Sequence, residues 1–263
     1  PTGVTTSSFQ KDKFEQDSDV NWNQDAQDIS FAGRGAWKVV MSKGVNYAAS
    51  GLTGEFAASV GNIYAGYELF ENPEEIEIDF LIMGSANYSK EGAAAIANKL
   101  IEVAELRKDA VAFISPYRGA FLTDDALNPT SEILAKITGY YAPVTSSSFA
   151  VLDSGYKYTF DRFNKEFRWV PMNADIAGLC ARTDINNFPW YSPAGTSRGA
   201  ILNAVKLAFN PGKRARDELY SNRINPITFN PGGGIILFGD KTGLAKASAF
   251  DRINVRRLFI FLE

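Results

Sequence analysis

Few residues in this chain are equipped for chemistry, and one type is missing. The 263 residues include no histidine. That removes Ser-His-Asp and Cys-His catalysis and the commonest zinc, copper and non-haem iron sites. Carboxylate, lysine and magnesium-assisted phosphoryl chemistry stay open. Adjacent acids at Glu74-Glu75 and Asp124-Asp125 have the residue type for acid–base or magnesium work, but such pairs on a loop or strand end are ordinarily just solvated. Cys180 follows Gly178-Leu179 in a helical stretch and reads as a small buried hydrophobe, with no histidine to activate it. Asp240-Lys241-Thr242-Gly243 matches the phosphorylated-aspartate motif of P-type ATPases. That reaction also needs a haloacid-dehalogenase-type domain and a membrane bundle, and no apolar run approaches the roughly 20 residues of a membrane span. The motif therefore reads as a polar turn after a strand. Gly84-Ser85-Ala86-Asn87-Tyr88-Ser89 has a single glycine where a dinucleotide fingerprint needs G-x-G-x-x-G. Gly232-Gly233-Gly234 lacks the lysine and hydroxyl of a phosphate-binding loop. No catalytic, cofactor-binding or metal-ligating residue is assigned. Arg252, Arg256 and Arg257, with Asp251 before them, are the candidate contacts between subunits, because the planar guanidinium pairs carboxylates bidentately. The competing reading of the four is a solvated face with local ion pairs, and the residue types alone leave both open.

The elements that must position these groups follow from periodicity. Ile76-Glu77-Ile78-Asp79 alternates and runs into Phe80-Leu81-Ile82-Met83, which predicts a strand entering a buried sheet. Ser89 is the N-cap of a helix with Glu91 in its first turn, and Ile96, Leu100, Val103 and Ala104 recur at helical spacing up to Arg107. Ala110–Ile114 is a second buried strand, ended by Ser115-Pro116. This strand–helix–strand unit predicts an α/β architecture with a parallel pair. Thr130-Ser131-Glu132 opens a shorter helix that Gly139 is expected to end. Phe149–Leu152 reads as a strand, and Tyr156–Phe160 and Glu166–Val170 as a hairpin turning near Asn164. Asn173 is expected to cap a helix to about Arg182. Gly199–Phe209 is ambiguous between strand and helix, Arg214–Tyr220 is a short helix, and Ile227–Phe229 and Ile235–Phe238 are strands around the glycine run. Ser248 is expected to cap a last helix whose apolar face carries Val255, Leu258, Phe259 and Leu262. Residues 1–30 read as a polar arm, followed by a strand at Ala36–Met41 between Gly33, Gly35 and Gly44.

Composition bounds the class. Apolar residues at 45% and charged residues at 22% are those of a globular protein. A chain of this length buries roughly 75% of the surface its unfolded form exposes. The net charge of −3 provides no basic field for nucleic acid. One cysteine excludes an internal disulfide and fits a reducing compartment. The start at Pro1 lacks the features of a signal peptide. The chain has no initiator Met, and Glu263 closes a helical stretch without a stop signal, so the expectation is a truncated or protease-resistant fragment of a longer protein.

Three segments resemble a known family. Asp175-Ile176-Ala177-Gly178-Leu179-Cys180-Ala181-Arg182-Thr183-Asp184, followed by Pro189-Trp190-Tyr191-Ser192-Pro193-Ala194-Gly195, is similar to an "AG-x-x-AR-x-D … PA" segment. Asn225-Pro226-Ile227, then Pro231 through Phe238-Gly239-Asp240-Lys241-Thr242, resembles a glycine-flanked strand ending in a "W/F-G-x-(R/K)-T" turn. Arg252-Ile253-Asn254-Val255-Arg256-Arg257-Leu258-Phe259 is similar to an "R-x-x-N-V-R-R-L" helix. In order and spacing, over about residues 149–263, they resemble the tail sheath proteins of contractile-tailed phages, of the myophage type.

The resemblance implies an α/β fold: a mixed, partly parallel sheet flanked by helices, a subtilisin-like sheath core without catalytic residues, plus an N-terminal β/loop region. It divides the chain into residues 1–70, a polar arm and β/loop region of an outer or incomplete domain, and 71–263, the sheath core, with the C-terminal tube-binding region and an N-terminal linking segment absent. It implies a structural subunit, not an enzyme, that polymerises helically around the tail tube and contracts to drive that tube through the host envelope. Its implied partners are other sheath subunits, the tail tube protein, and baseplate and tail terminator proteins, with no nucleic acid, membrane insertion or cofactor. The implied location is the virion tail, after assembly in the host cytoplasm, and the fragment alone is expected to be monomeric. Two alternatives stand beside this reading. One is a sheath subunit of a tailocin or other contractile injection system. The other, from a different class, is a metal- or carboxylate-dependent hydrolase, which predicts a concave cluster of acids with strongly shifted pKa values.

Overall fold

A computed structural model describes residues 48–49, 52–53, 59–85, 89–123, 126–232 and 234–262. Contacts divide the chain after Asn46, and every described element lies in the unit Tyr47–Glu263. The expected polar arm, the strand at Ala36–Met41 and the Asp124-Asp125 pair lie outside the described residues.

The centre is a parallel sheet in the order β3 (Phe80–Ile82), β4 (Val111–Ile114), β7 (Ala150–Leu152). Phe80 pairs with Val111, and Ala112 with Ala150, both in parallel register. All four residues of β4 are buried, and the pleat sends them to opposite faces. Ala112 and Ile114 join the apolar cluster under α2 (Lys90–Arg107) and α3 (Thr130–Tyr141). Val111 and Phe113 join a second cluster with α4 (Asn173–Asn186). The sheet is therefore the middle of three layers, which is why β4 reads as a continuous apolar run.

α2 follows from its sequence. The Ser89 side chain accepts a hydrogen bond from Gly92 N, Glu91 sits in the first turn, and Lys108 ends the helix in the left-handed region with φ 67°. Its inner face is narrow and alanine-rich: Ala93, Ala97 and Ala104 are fully buried beside Ile96, Leu100 and Val103. α1 (Val60–Glu68), capped by Ser59, packs on that layer through half-buried Val60, Ile63, Tyr64 and Tyr67. A short antiparallel pair, β1 (Ala48–Ala49) with β2 (Leu52–Thr53), precedes it.

Hairpins complete the unit. β8 (Tyr156–Asp161) and β9 (Glu166–Pro171) pair along their full length, and β10 (Lys206–Leu207) adds to β8. β5 (Leu122–Thr123) pairs with β6 (Ala126–Leu127). After the short helix α5 (Gly195–Arg198) and then α6 (Lys213–Ser221), β11 (Ile227–Asn230) and β12 (Gly234–Leu237) form another hairpin. The chain ends in α7 (Ile253–Leu262).

Five expectations change. The 76–83 strand begins at Phe80, because Ile76 is exposed and the ladder reaches back only to the Asp79 carbonyl, which accepts from Val111 N. α3 continues through Gly139 because Tyr140 and Tyr141 anchor its last turn in the core, so packing overrides propensity. Asn173 is the first helical residue rather than the cap, with Met172 preceding it and the helix continuing to Asn186. Its side chain reaches another strand instead. Gly199–Phe209 is mostly irregular, with only the two residues of β10 in a ladder. α7 starts at Ile253, and Ser248 holds the preceding turn through Phe250 N and Asp251 N. The inward positions of α7 are Ile253, Arg257 and half-buried Ile260, while Phe259 and Leu262 are exposed.

Asn225 joins the layers. Fully buried, it donates from Nδ2 to Leu152 O (2.9 Å) and Lys241 O (2.7 Å), and Oδ1 accepts from Lys241 N (2.7 Å). This ties the end of β7 to the turn after β12. Asn225→Ala leaves Lys241 N and Lys241 O without their Asn225 partners in a dry site, while Leu152 O keeps the Asn225 backbone N–H, at about 1–3 kcal/mol for each orphaned group. We expect a loss of about 3 kcal/mol, read as a lower urea midpoint at unchanged m-value.

Candidate functional site

Open α/β sheets bind ligands beyond the carboxyl ends of their strands. Here that edge is filled by the protein itself. Ser115 follows β4 and Asp153 follows β7. Ser115 Oγ donates to Asp153 Oδ2 at 2.6 Å, and Gly155 N donates to Asp153 Oδ1 at 2.7 Å. Ser115 Oγ accepts from Asn173 N at 2.9 Å. Tyr141 Oη donates to Ile114 O and Asp153 O. The Asn173 side chain crosses to the β3 end, accepting from Gly84 N and donating to Gly84 O. Ser115, Asp153 and Asn173 are all buried, so the serine and the aspartate sit side by side with their polar atoms engaged by one another and by the chain around them.

Desolvation pushes the Asp153 carboxyl up to about 7, against the downward pull of its bonds from Ser115 and Gly155. Burial likewise raises Tyr141 well above its ordinary value. Cys180, fully buried in α4, is pushed up to about 12 by the same cause, which makes it inert as a nucleophile. Among the described residues, no three acidic or thiol side chains gather in a way that could hold a metal ion. The acid cluster that a hydrolase needs is not formed by them.

The arginine-bearing helix is joined to the rest of the unit. Arg252 Nη1 donates to Asp240 Oδ1 at 2.8 Å, with Asp251 at 3.9 Å from its Nε. Arg256 donates to Ser148 Oγ and lies between the rings of Phe149 and Phe250, 4.2 Å from each centroid. Arg257, 7% exposed, pairs with Asp184 and faces Phe80. The four candidate contact residues are thus engaged within the chain, and Arg252 keeps half of its side chain in solvent. Asp240 also accepts from Ser192 Oγ, and Thr242 Oγ1 donates to Phe250 O. The Asp-Lys-Thr-Gly turn is therefore a structural joint, as its sequence context indicates. Asp184 and Asp240, the arginine partners, were not singled out as site residues, although both lie inside the segments that carry the resemblance. Two hollows flank this framework. One, of about 370 Å³, lies at the amino ends of β3 and β4 against α7. The other, of about 790 Å³, lies between the β8–β9 hairpin, Gly84 and the start of α4.

A family model described as the phage tail sheath protein central domain matches residues 58–243. The chain belongs to the phage tail sheath family. It is 37% identical over 226 residues to the tail sheath protein of Enterobacteria phage T4, covering 84% of this chain and 34% of that one. It is 39% identical over 209 residues to the tail sheath protein of Vibrio phage KVP40, covering 75% and 31%. It therefore spans about a third of the length of these relatives. Among solved structures, the fold is similar to chains in the anti-feeding prophage baseplate (TM-score 0.54, 18% identity, 76% of this chain and 47% of that one) and in its contracted helical sheath (0.53, 19%, 78% and 50%). Those likenesses support the mixed α/β fold with its parallel sheet.

Asp153 gives the edge a pH signature. Its native pKa near 7 lies above the roughly 3.9 of an unfolded aspartate, so between about pH 4 and 7 the native state holds a proton that the unfolded state has released. The contribution of this group to stability is greatest below about pH 4, falls by at most about 1.4 kcal/mol per unit across that window, and levels off above it. Asp153→Asn, neutral throughout, is expected to flatten the decline, measured as urea midpoints at pH 4.5, 5.5, 6.5 and 7.5.

Proposed function

We propose that this chain is the central part of a contractile tail sheath subunit, a structural protein that polymerises helically around a tail tube and shortens to drive that tube through a host envelope. The observation that carries the reading is the match of residues 58–243 to the sheath central domain, supported by relatives named tail sheath proteins at 37% and 39% identity. Its neighbours in the virion would be further sheath subunits, the tail tube, and baseplate and terminator proteins, met after assembly in the host cytoplasm. A sheath of another contractile injection system is the second reading. It is favoured by the contracted anti-feeding prophage sheath, but at 19% identity that likeness is one of fold. The sheath core is taken to start near residue 58, where the family match begins and α1 packs on α2.

The physics suits the role. A head-to-tail contact whose rotation does not close propagates as a helix, and contraction repacks rigid subunits between two arrangements. A unit whose sheet edge is sealed by buried hydrogen bonds can move as one body. Of the four candidate contact residues, Arg252 with Asp251 is the pair we assign to a neighbouring subunit, because half of the Arg252 side chain is exposed.

The test is electron microscopy of the full-length parent under assembly conditions. Tubes of sheath-like diameter are expected, and monodisperse globules alone would contradict the assignment. The 263-residue chain is expected to elute as a monomer at micromolar concentration on size exclusion, and a stable dimer would argue against it.

A further inference from the structure

Two surfaces at opposite ends of the parallel sheet complement each other. The first is the tip of the β8–β9 hairpin, which leaves the carboxyl edge after β7. Asp161 organises the turn: Oδ1 accepts from Phe163 N and Asn164 N, and Oδ2 accepts from Asn164 Nδ2. Lys165 takes the left-handed φ of 60° that returns the chain. The fixed turn displays Phe163, 83% exposed, with the Arg162 guanidinium over its ring. Arg162 and Lys165 are exposed, with no carboxylate in ion-pair range among the described residues. A large exposed aromatic flanked by unpaired cations on a pre-ordered turn is the composition of an interface anchor.

The second surface is the hollow of about 370 Å³ at the amino edge, where β3 and β4 begin. Its walls include Phe80, Ile260 and Phe261, the last 68% exposed. Its rim carries Glu77 and Asp79, both exposed and without a cation in ion-pair range among the described residues. Its floor is the Asp184–Arg257 pair, where Asp184 Oδ1 and Arg257 Nη1 are buried with no hydrogen-bond partner among the described residues.

We propose that the hairpin tip of one copy of this chain docks into the amino-edge hollow of the next, with Phe163 against the apolar wall and Arg162 and Lys165 against Glu77 and Asp79. Because tip and hollow lie at opposite ends of one sheet, the contact is heterologous: each copy has a free tip and a free hollow, and the pairing repeats without closing. A contact built on exposed charges is weak in isolation and strong in a helical array, where each subunit is held at several places at once. This accords with a chain that is monomeric at micromolar concentration. The proposal rests on the sheath reading for its setting.

The test uses two charge-reversed chains, Arg162→Glu/Lys165→Glu and Glu77→Lys/Asp79→Lys, all at exposed positions. At millimolar concentration in low salt, sedimentation of the wild-type chain should show reversible association that fades as salt rises. Each variant alone should associate about tenfold or more weakly, as expected for losing several charge pairs at once. Mixing the two variants should restore association, since each tip then meets an oppositely charged hollow. Wild-type behaviour in either variant alone, no restoration on mixing, or no association of the wild-type chain overturns the proposal. The same substitutions in the full-length parent separate the two ideas. If variant chains associate normally and the parent still forms tubes, the contact is wrong and the sheath reading stands. If the wild-type parent forms no tubes, the sheath reading falls whatever the sedimentation shows.

Discussion

The constraint on which the structure depends is that the short central strand β4 has no solvent face. Its residues Val111, Ala112, Phe113 and Ile114 are at most 2% exposed. Burying one large apolar side chain is worth about 1.5–3 kcal/mol, so both faces must be covered at once. Along one face lie α2 and α3, and along the other α4, the β11–β12 hairpin and α7. Everything after Asp153 can be read as the chain returning to supply that second cover. The alanines of α2 let its backbone approach one face closely, while Met172, Ile176 and Cys180 fill the other.

Covering a parallel sheet leaves polar strand ends to satisfy, and this chain does so with side chains from distant elements. Ser115, Tyr141, Asp153, Asn173 and Asn225 each bridge segments separated by at least a dozen residues. In an α/β enzyme the same edge is kept open, and its polar groups stay available to a substrate. Here they are consumed by one another. The reactive-looking groups are committed to holding layers together. The raised carboxyl of Asp153 is a consequence of this use, since a buried carboxylate tolerates desolvation only by holding a proton or accepting several bonds.

Local patterns in the sequence account well for the elements with a strong period or a clear cap. Ser89, Glu91 and the apolar spacing to Arg107 specify α2, and the alternation from Tyr156 to Val170 specifies the hairpin and its turn. Three of the failures share a cause, a distant partner that local pattern does not contain. Gly139 looks like a stop, yet two buried tyrosines beyond it hold the helix. Asn173 looks like a cap, yet it is used across 89 residues on Gly84. α7 shows an apolar stripe, yet one of the positions turned inward, between Ile253 and Ile260, is Arg257, made tolerable by Asp184 on α4. The site fared similarly. The three arginines and the segments around them were legible, whereas their roles were not, because an arginine's partner sets whether it is a joint or a surface.

That partnering bears on how such a subunit can move. Arg256 is held between two aromatic rings, and Arg257 is sunk in an ion pair, so the joint between α7 and the core is fixed by geometry that a modest shift would break. Breaking a buried pair by separating its partners costs several kcal/mol, far more than rearranging an exposed pair worth about 1 kcal/mol or less. Strain applied to an array of these chains therefore falls on the exposed contacts first. In the proposed assembly the interior would stay rigid while the outer contacts yield and re-form, the division of strengths that a switch between two packings of one subunit requires.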